Sequence, residues 1–368
     1  MTAAPVIEFA VPAPPGPPEL GGELVWDGGC FSDKQMCKKS KDMTVWVNTA
    51  SEIKVTVEIS RSKSDCADQL KDKIVSVPVK PIIQFDTNQF GNEKLDAVLI
   101  CNPAKFHFEY MKKALSKNLY VLAEKPVVSN FSEAKKLLKN KKNKKISVVQ
   151  NWRTKDVGRI LRKKILGGNI GYIGQVFFRY IRNREKSFYP NYIYKEKFPP
   201  LYAMGIHHLD LFRYILDDEI VKVSGNFFKP KWSLYSSFTG FNLHMVTRKK
   251  TFINYTSTFS SLTNINNQES LIINGSKGSL LNESNWLEPP LFLQKKNDKN
   301  KKNLTFNIKK KSIRSQYDIS DKIIIENFYD FVSKRKKPIC SYFDAFKTIK
   351  LVEYCKRACL SGRQVKII

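Results

Sequence analysis

The sequence predicts a two-domain α/β protein, in which a doubly wound parallel sheet is followed by an α/β domain with an open, mostly antiparallel sheet. Up to about residue 150, short apolar runs alternate with helical patterns, which is typical of a parallel sheet with right-handed crossovers. Beyond residue 150 the strand-like runs are longer and few helical patterns separate them, which indicates an open sheet with one covered face. The chain has 368 residues, and this length favours two hydrophobic cores over one.

The N-terminal segment differs from the rest of the chain. Its first 20 residues contain six prolines, which are incompatible with a helix or a central strand. We therefore expect an extended, disordered tail over residues 1–20. The two domains are then expected over residues 21–150 and 151–368.

The N-terminal domain is predicted from apolar runs separated by helical patterns. In AKFHFEYMKKALSKN, apolar side chains recur at helical spacing at Phe106, Tyr110, Ala114 and Leu115. In SEAKKLLKN, Ser132 is the predicted N-cap. The predicted strands are ELVW at 23–26, IKVTVEI at 53–59, PIIQF at 81–85, LDAVLI at 95–100, LYVLA at 119–123 and KISVVQ at 145–150.

The C-terminal domain begins with a predicted helix at about 154–166 and a glycine-rich turn, GGNIGYIG. Two further helices are predicted near 319–333 and 342–361. Between the turn and these helices lie the strand-like runs QVFFRYI, IVKVSGNFF, FNLHMVT, KTFINYTSTFS and SLIINGS. Such runs favour an open, mostly antiparallel sheet.

The composition, 42% hydrophobic and 26% charged, is that of a globular protein and not of a disordered or fibrous one. The formal charge of +29 attracts polyanions nonspecifically. However, the lysines are concentrated in runs at 135–145 and 295–311, interpreted as solvated helix ends and loops, with a dedicated polyanion site as the alternative. Because no zinc-finger spacing or aromatic RNA-binding signature accompanies the charge, we expect no specific nucleic-acid partner.

The seven cysteines are scattered and never spaced as CxxC, so neither a disulfide framework nor a metal site is predicted. No stretch approaches 18 consecutive apolar residues, and the N-terminus lacks the pattern of a secretory signal. We therefore expect a cytoplasmic protein without a membrane partner.

Polar residues follow two neighbouring strands of the N-terminal domain. In open α/β sheets, ligands bind at the carboxyl ends of the strands. A lysine at this edge can donate a hydrogen bond to a carbonyl or hydroxyl oxygen, although an ordinary surface lysine in a turn is an equal alternative. The residues in question are Asn102, Pro103 and His107 after the first strand, and Glu124, Lys125 and Pro126 after the second.

The segments NPAKFH, AEKP, MGIHHLDLFRY and SLIINGSKGSL together resemble the signature segments of the Gfo/Idh/MocA family of NAD(P)-dependent sugar and cyclitol oxidoreductases. The resemblance runs from about residue 53 to the C-terminus. It implies a Rossmann domain followed by an α/β domain, whose open sheet forms a wall of the substrate pocket and often an oligomer interface. A homo-oligomer, dimer or tetramer, is therefore expected.

The resemblance also implies that Lys125 and His207 face the nicotinamide and the substrate carbon that exchanges hydride. A histidine suits proton transfer because its pKa lies near neutrality. It further implies that His107 approaches the cofactor. Asp210 and Arg213 are expected to organise the helix by local pairing.

The expected cofactor is NADP, or NAD. Gly28 and Gly29 in DGGCFSDKQMCKK are candidates for the pyrophosphate turn, although the third glycine of GxGxxG is absent. Ser60, Arg61 and Ser62 suit a 2′-phosphate because hydroxyls and a guanidinium match phosphate oxygens, with an ordinary Ser/Arg turn as the alternative.

Arg153, in QNWR, resembles a family position that contacts the cofactor, with an interdomain ion pair as the alternative. Tyrosines and a lysine suit polyhydroxylated ligands. The substrate-binding candidates are Tyr192, Tyr194, Lys195, Tyr202 and His208, for the last of which packing against the sheet is the favoured alternative.

Ala203 stands where many family members carry an acidic residue four positions before the histidine. The expected activity is hydride transfer to or from a secondary alcohol or ketone of a sugar, nucleotide sugar or cyclitol. Because of Ala203 and the weak glycine turn, a catalytically impaired binding or scaffold subunit is the alternative.

Overall fold

The structure, a computed structural model, describes five strands within the first 83 residues and then residues 96–102, 104–185, 193–262, 269–308 and 313–367. The early strands are β1 (Ile7–Ala10), β2 (Asp42–Val47), β3 (Ile53–Ser60), β4 (Val75–Val77) and β5 (Ile82–Ile83). The chain divides into two compact units, one of residues 1–149 with 325–343 and the other of residues 150–324 with 344–368. Residues 325–343 are thus part of the first unit, whereas the predicted second domain, residues 151–368, includes them.

The first unit contains a five-stranded parallel sheet. Its later strands are β6 (Ala97–Ile100), β7 (Tyr120–Ala123) and β8 (Ile146–Val148). The strand order is β5-β1-β6-β7-β8, and every pair is parallel. All four residues of β6 are buried, as expected for a strand covered on both faces.

The early part of the chain departs from the sequence prediction at two places. Residues 7–10, predicted as part of a disordered tail, form β1 between β5 and β6. The run VIEFA lies between Pro5 and Pro12 and contains no proline, so its backbone retains the donors that a central strand requires. The run at 53–59, predicted for the parallel sheet, forms β3 in a separate antiparallel sheet of order β2-β3-β4.

Two helices connect the later parallel strands. In α1 (Ala104–Ser116), the buried residues are His107, Met111, Ala114 and Leu115. This is one helical stripe, but the predicted Phe106 is 40% exposed. The stripe is therefore displaced from the predicted one, because His107 faces the interior.

The helix α2 (Phe131–Leu138) has a different cap from the predicted one. The Asn130 side chain accepts a hydrogen bond from the Glu133 backbone nitrogen at 3.0 Å. The Glu133 carboxylate in turn accepts one from the Ser129 nitrogen at 3.1 Å. The prediction of Ser132 as N-cap was wrong, since the side chain of Asn130 is the one that accepts from a first-turn backbone nitrogen.

The second unit contains a nine-stranded sheet of order β16-β15-β14-β13-β9-β12-β11-β10-β17, in which β9 and β12 are parallel and the other pairs antiparallel. Its strands are β9 (Ile173–Ile181), β10 (Ile220–Phe228), β11 (Gly240–Thr247), β12 (Phe252–Thr258), β13 (Glu269–Gly275), β14 (Gly278–Asn282), β15 (Leu291–Lys295), β16 (Lys302–Asn303) and β17 (Val365–Lys366).

Helices pack on one face of this sheet. They include α3 (Asp156–Leu166), a π-helix (Pro200–Gly205) and α4 (Ile206–Leu216). Phe212 of α4 packs edge-on against Phe178 and Tyr255 of the sheet, at centroid distances of 5.6 Å. Two C-terminal helices follow, α5 (Ile313–Lys334) and α6 (Tyr342–Ser361).

Among the described residues, no helix has the length and apolarity needed to cross a membrane. In the same part of the chain no group of three or more His, Cys, Asp or Glu residues is arranged to hold a metal ion. The described cysteines, Cys101, Cys340, Cys355 and Cys359, are free thiols.

Candidate functional site

The strand order of the first unit reverses at β1, since β5 lies on one side of it and β6, β7 and β8 on the other. In open α/β sheets, ligands bind outside the carboxyl ends of the strands where the order reverses. Asn102 lies two residues after the end of β6. The topology therefore places the NP and EKP segments at the edge of the sheet where a ligand is expected.

Asn102 has unmet hydrogen-bonding capacity. The residue is 5% exposed, and neither Oδ1 nor Nδ2 has a hydrogen-bond partner within the described residues. A buried amide left in this state costs about 1–3 kcal/mol. A ligand that presents one donor and one acceptor at this edge would satisfy both atoms, so the residues here fit a carboxamide-bearing cofactor such as a nicotinamide.

The His107 ring joins the backbone segments that follow β6 and β7. Its Nε2 lies 2.5 Å from the Asn102 carbonyl oxygen, and its Nδ1 lies 3.1 Å from the Pro126 carbonyl oxygen. Burial lowers the pKa of His107, although hydrogen bonds to Asn102, Pro126 and Val127 raise it in part. The ring was predicted to approach the cofactor; in the structure its nitrogens are engaged by the protein's own backbone.

The EKP segment immediately follows β7. Lys125 is half-buried and is joined to Pro126 by a cis peptide bond. The Glu124 carboxylate accepts a hydrogen bond from the Lys125 backbone nitrogen at 3.0 Å. Burial raises the pKa of Glu124, while Lys125 opposes that rise. The segment therefore combines an ammonium group with a poorly solvated carboxyl at the carboxyl edge of the sheet.

His207 is 3% exposed in the first turns of α4. Its Nδ1 lies 3.2 Å from Oε1 of Gln150, which is itself 2% exposed. The Trp152 ring is nearly parallel to the imidazole, with centroids 6.2 Å apart and planes at 19°. The imidazole is therefore held from one side by a short segment that precedes α3.

His208 occupies an aromatic environment inside the second unit. It is fully buried, its Nδ1 contacts the Tyr255 hydroxyl, and Trp152, Phe178 and Tyr180 surround the ring at centroid distances of 4.5–4.8 Å. Burial, and then the charges of Arg182, Arg184 and Lys155, hold its pKa well below the ordinary value. The favoured alternative of packing against the sheet describes this residue, because the Tyr255 hydroxyl and three aromatic rings surround the imidazole.

Arg153 forms a buried ion pair with Asp210. The guanidinium Nε and Nη2 lie 2.7 and 2.8 Å from the two carboxylate oxygens. The two residues are 5% and 1% exposed. The pair lies within the second unit, so the alternative of an interdomain ion pair was wrong. The bidentate partner occupies the guanidinium, and the cofactor contact of Arg153 stays a prediction.

Arg213, expected to pair locally, pairs mainly with Glu219 six residues later. Its Nε and Nη2 lie 2.7 and 3.0 Å from the Glu219 carboxylate, and Lys347 lies 2.9 Å from the same group. Asp210 is farther from Arg213, at 3.7 Å. These contacts connect α4 with α6 inside the second unit.

The described substrate candidates have local partners. The Tyr194 hydroxyl donates to the Glu185 carbonyl oxygen at 3.3 Å, and its ring lies 4.9 Å from that of Tyr235. Burial raises the pKa of Tyr202, which hydrogen-bonds Lys356. Lys195 is exposed. The substrate-binding role of these three side chains stays a prediction.

Ala203 lies in the π-helix that leads into α4. Helices of this type are rare and frequently occur at functional sites. The π-helix runs directly into α4. Ala203, four residues before His207, therefore lies in a locally widened turn.

Two features of the second unit were not predicted. Gln150 is predicted only as the last residue of a strand, since nothing in QNWR indicates that its side chain contacts His207, 57 residues away. Glu269 is 1% exposed and accepts from Arg182 at 2.6 Å and from the backbone nitrogens of Trp286 and Leu287 at 2.8 and 3.0 Å. The sequence signal for Glu269 is its position as a charged residue immediately before the hydrophobic run SLIINGS.

Several predicted site residues lie outside the described residues, and the structure is silent on them. They are Gly28, Gly29, Arg61, Ser62, Pro103 and Tyr192, together with the side chain of Ser60 and the predicted strand at 23–26.

Two family models match the chain. The first, described as an oxidoreductase family with an NAD-binding Rossmann fold, matches residues 39–151, and the second, the C-terminal alpha/beta domain of the same Gfo/Idh/MocA family, matches residues 162–367. Together they confirm the resemblance and the predicted fold class.

Two curated relatives match part of the chain. The uncharacterised oxidoreductase YhhX of Escherichia coli K12 is 33% identical over 120 residues, 31% of this chain and 33% of that protein. The inositol 2-dehydrogenase/D-chiro-inositol 3-dehydrogenase of Lacticaseibacillus casei is 26% identical over 198 residues, 53% of this chain and 54% of that protein. The matched stretches thus span a third and about half of these relatives' lengths.

The fold also matches solved structures. An oxidoreductase from Agrobacterium radiobacter, solved in complex with NAD+, L-tartaric acid and magnesium, superposes with a TM-score of 0.68 over 78% of this chain and 85% of that one. At 17% identity, this likeness is one of fold.

Proposed function

The chain belongs to the Gfo/Idh/MocA family of NAD-binding oxidoreductases, and from this premise we propose that it transfers hydride to or from a secondary alcohol or ketone carbon. The proposed substrate is a sugar, a nucleotide sugar or a cyclitol, and the proposed cofactor is NADP in preference to NAD. The observation that carries the proposal is the unsatisfied amide of Asn102 beside the EKP segment, where the strand order of the parallel sheet reverses.

Asn102, Glu124 and Lys125 are the described residues that would hold the nicotinamide end of the cofactor. A bound nicotinamide supplies the hydride donor or acceptor. The amide of Asn102 offers one donor and one acceptor in a buried position, where an unmet hydrogen bond is costly. The preference for NADP rests on Ser60, Arg61 and Ser62, which suit a 2′-phosphate.

Lys125 is the proposed electrophile for the substrate oxygen. Its ammonium group donates a hydrogen bond to that oxygen and stabilises the negative charge that develops during reduction of a ketone. Because Lys125 is half-buried, this hydrogen bond is less screened than one in open water.

His207 is the proposed acid–base residue. It takes the hydroxyl proton when an alcohol is oxidised and returns it when a ketone is reduced. The relationship to an inositol dehydrogenase over 53% of the chain supports a polyhydroxylated substrate. Lys195, Tyr194, Tyr202 and Tyr192 remain proposed contributors to its recognition.

Cofactor binding is the first test. Titration of the purified full-length protein with NADPH and with NADH, followed by nicotinamide fluorescence or calorimetry, is expected to give saturable binding with the lower Kd for NADPH. A lower Kd for NADH would reverse the assigned preference, and no saturation with either would reject the function.

Turnover is the second part of the same test, on a panel of inositols, sugars and nucleotide sugars. Lys125→Ala is expected to lower kcat by about 100- to 10,000-fold, the usual range for an acid–base or electrophilic group, with an unchanged circular dichroism spectrum. Lys141→Ala, at an exposed lysine of the same unit, is the matched control and should retain full kcat. Equal activity of Lys125→Ala and Lys141→Ala would exclude the proposed role.

A further inference from the structure

The 3-10 helix Asn151–Arg153 and α4 are joined at two points with the same spacing. Gln150, the N-cap of the 3-10 helix, contacts His207, and Arg153, three residues later, contacts Asp210, three residues after His207. Both pairs are separated by 57 residues, and all four side chains are at most 5% exposed. The two segments therefore lie side by side in a defined register.

The Arg153–Asp210 pair makes this register rigid. Both oxygens of the carboxylate are bound by the planar guanidinium at 2.7 and 2.8 Å, and Thr348 of α6 donates to Oδ1 at 2.9 Å. A bidentate pair fixes orientation as well as distance. The Gln150 backbone is also held, because its carbonyl oxygen accepts a hydrogen bond from the Arg153 nitrogen at 3.0 Å.

A hydrogen bond at one imidazole nitrogen decides what the other nitrogen does. When Nδ1–H donates to an oxygen, the neutral ring is protonated at Nδ1 and presents Nε2 as the base. The loss of such an orienting partner leaves the ring free to adopt the wrong tautomer or rotamer. Gln150 Oε1, at 3.2 Å from Nδ1, is an acceptor in the required place.

We infer that Gln150 is a positioning residue for His207: the Gln150 side-chain oxygen accepts a hydrogen bond from Nδ1–H, and Nε2 is thereby the nitrogen that exchanges a proton with the substrate. The inference rests on the proposed function, in which His207 is the acid–base residue. It also accounts for Ala203: the side chain that orients the imidazole comes from the segment before α3, and not from the preceding turn of the same helix.

The wild-type protein tests this assignment directly. The chain contains four histidines, so the full-length protein labelled with 15N-histidine gives a small set of ring resonances, and a His207→Asn sample identifies those of His207. At a pH where the ring is neutral, we expect a protonated Nδ1 and an unprotonated Nε2. A ring protonated at Nε2 overturns the inference, whether or not the protein shows turnover.

Two substitutions separate orientation from packing. Gln150→Met has a similar length without an acceptor; it should shift the tautomer of His207 and lower kcat by about 10- to 100-fold, the range seen when the orienting partner of a functional histidine is lost, with little change in KM. Gln150→Glu retains an oxygen at the same position, and should restore the wild-type tautomer and most of kcat. Unchanged kcat and tautomer in Gln150→Met would overturn the inference even if both variants fold normally.

The second unit offers a matched control pair. His244 Nδ1 lies 2.6 Å from Oδ1 of Asn254 on adjacent strands, in an exposed position. Asn254→Leu removes an amide acceptor from an imidazole in the same way, and should alter the His244 resonances alone, with unchanged kcat. If wild-type protein has no turnover on any substrate, the proposed function fails. The 15N resonances of His207 still show whether Gln150 sets the tautomer of the ring.

Discussion

At the residue scale, the second unit is characterised by buried charges that are paired in a bidentate or multidentate manner. Both partners are buried in the pairs of Arg153 with Asp210 and of Arg182 with Glu269. Arg213 binds Glu219, which is 31% exposed, with Lys347 alongside. Removal of one partner from a buried pair costs about 3–5 kcal/mol, because the other charge remains desolvated. An intact buried pair adds little to the net free energy of unfolding, but breaking it is costly. The main effect of these pairs is therefore to fix the relative positions of the segments that carry them.

Glu219 links this charge network to acid stability. Burial alone would raise the pKa of its carboxyl, but hydrogen bonds and charge from Arg213, followed by those from Lys347, outweigh that effect and lower the pKa to about 2 from the ordinary 4.5. A carboxyl whose pKa is lowered on folding stabilises the protein above its unfolded pKa. That contribution is lost as the pH falls from about 4.5 through about 2.

We expect Glu219→Gln to reduce the free energy of unfolding at neutral pH by on the order of 1 kcal/mol, because the pair is partly screened by solvent. The variant should also lose less stability than wild type as the pH falls below 4.5. Urea denaturation at a series of pH values measures both effects. Glu283→Gln, at an exposed glutamate, should follow the wild-type curve; a parallel curve for Glu219→Gln would contradict the role of the pair.

At the element scale, a glycine in α3 determines how closely this helix approaches the preceding 3-10 helix. A Cβ atom at Gly158 would lie 2.4 Å from the Trp152 backbone oxygen, far inside normal contact. Ordinarily, Gly→Ala within a helix stabilises by about 1 kcal/mol. Here the helix would have to move away from the segment that carries Gln150 and Trp152.

We therefore expect Gly158→Ala to be destabilising, by about 1–2 kcal/mol net, since overpacking costs typically 1–3 kcal/mol. Chemical denaturation of the two proteins measures this change. Gly174→Ala is the control: it lies in β9, and no atom lies within 4 Å of its added Cβ, so its stability should stay within about 0.5 kcal/mol of wild type. A stabilised Gly158→Ala would mean that α3 has room that the structure does not show.

At the scale of the whole molecule, one face of the nine-stranded sheet carries a row of apolar side chains. The paired residues Phe292, Leu281, Ile272 and Phe177 cross four adjacent strands. Phe177 is 38% exposed, and Phe252 on the next strand is 56% exposed. Exposed apolar surface of this kind marks interaction sites, and we propose that this face joins copies of the chain into the expected homo-oligomer.

Light scattering coupled to size exclusion tests this proposal. The wild-type protein is expected to be a dimer or tetramer, and Phe177→Glu should shift it toward monomer, because a charge placed inside an apolar interface is costly. Leu166→Glu replaces another exposed apolar residue, 52% exposed on α3, and should leave the assembly unchanged. A monomeric wild type, or an unaffected Phe177→Glu, would reject this face as the interface.

The charge of +29 also belongs to this scale, and we propose no specific nucleic-acid or membrane partner from it. In the described part of the first unit, lysines make local surface contacts. Lys142 donates to the carbonyl oxygen of Ser116, the last residue of α1, at 3.4 Å, and Lys112 pairs with Glu109 on the same helix at 3.2 Å. Lysines near helix C-termini interact favourably with the helix dipole. Such contacts are those of lysines on a solvated surface.

The sequence by itself determined the fold class, the strands β6 to β13 and the strand ends that carry the NP and EKP segments. Hydrophobic period and the residues that follow a strand are local properties, so they can be recognised in one sequence. The short strands β14 to β17 and the π-helix were not predicted. The N-cap of α2 was missed by two residues, because the Asn130 side chain accepts from the Glu133 backbone nitrogen and the Glu133 carboxylate accepts from that of Ser129.

Only the tertiary structure decided which buried polar groups meet. It paired Arg153 with Asp210 and Gln150 with His207 across 57 residues, enclosed His208 among aromatic rings, and placed β1 between β5 and β6. No local pattern specifies such contacts, since each depends on how two distant elements pack. The physical reason is the cost of an unsatisfied buried polar group: most such side chains have a partner, and the fold decides which partner is within reach, or, at Asn102, that none of the described residues is.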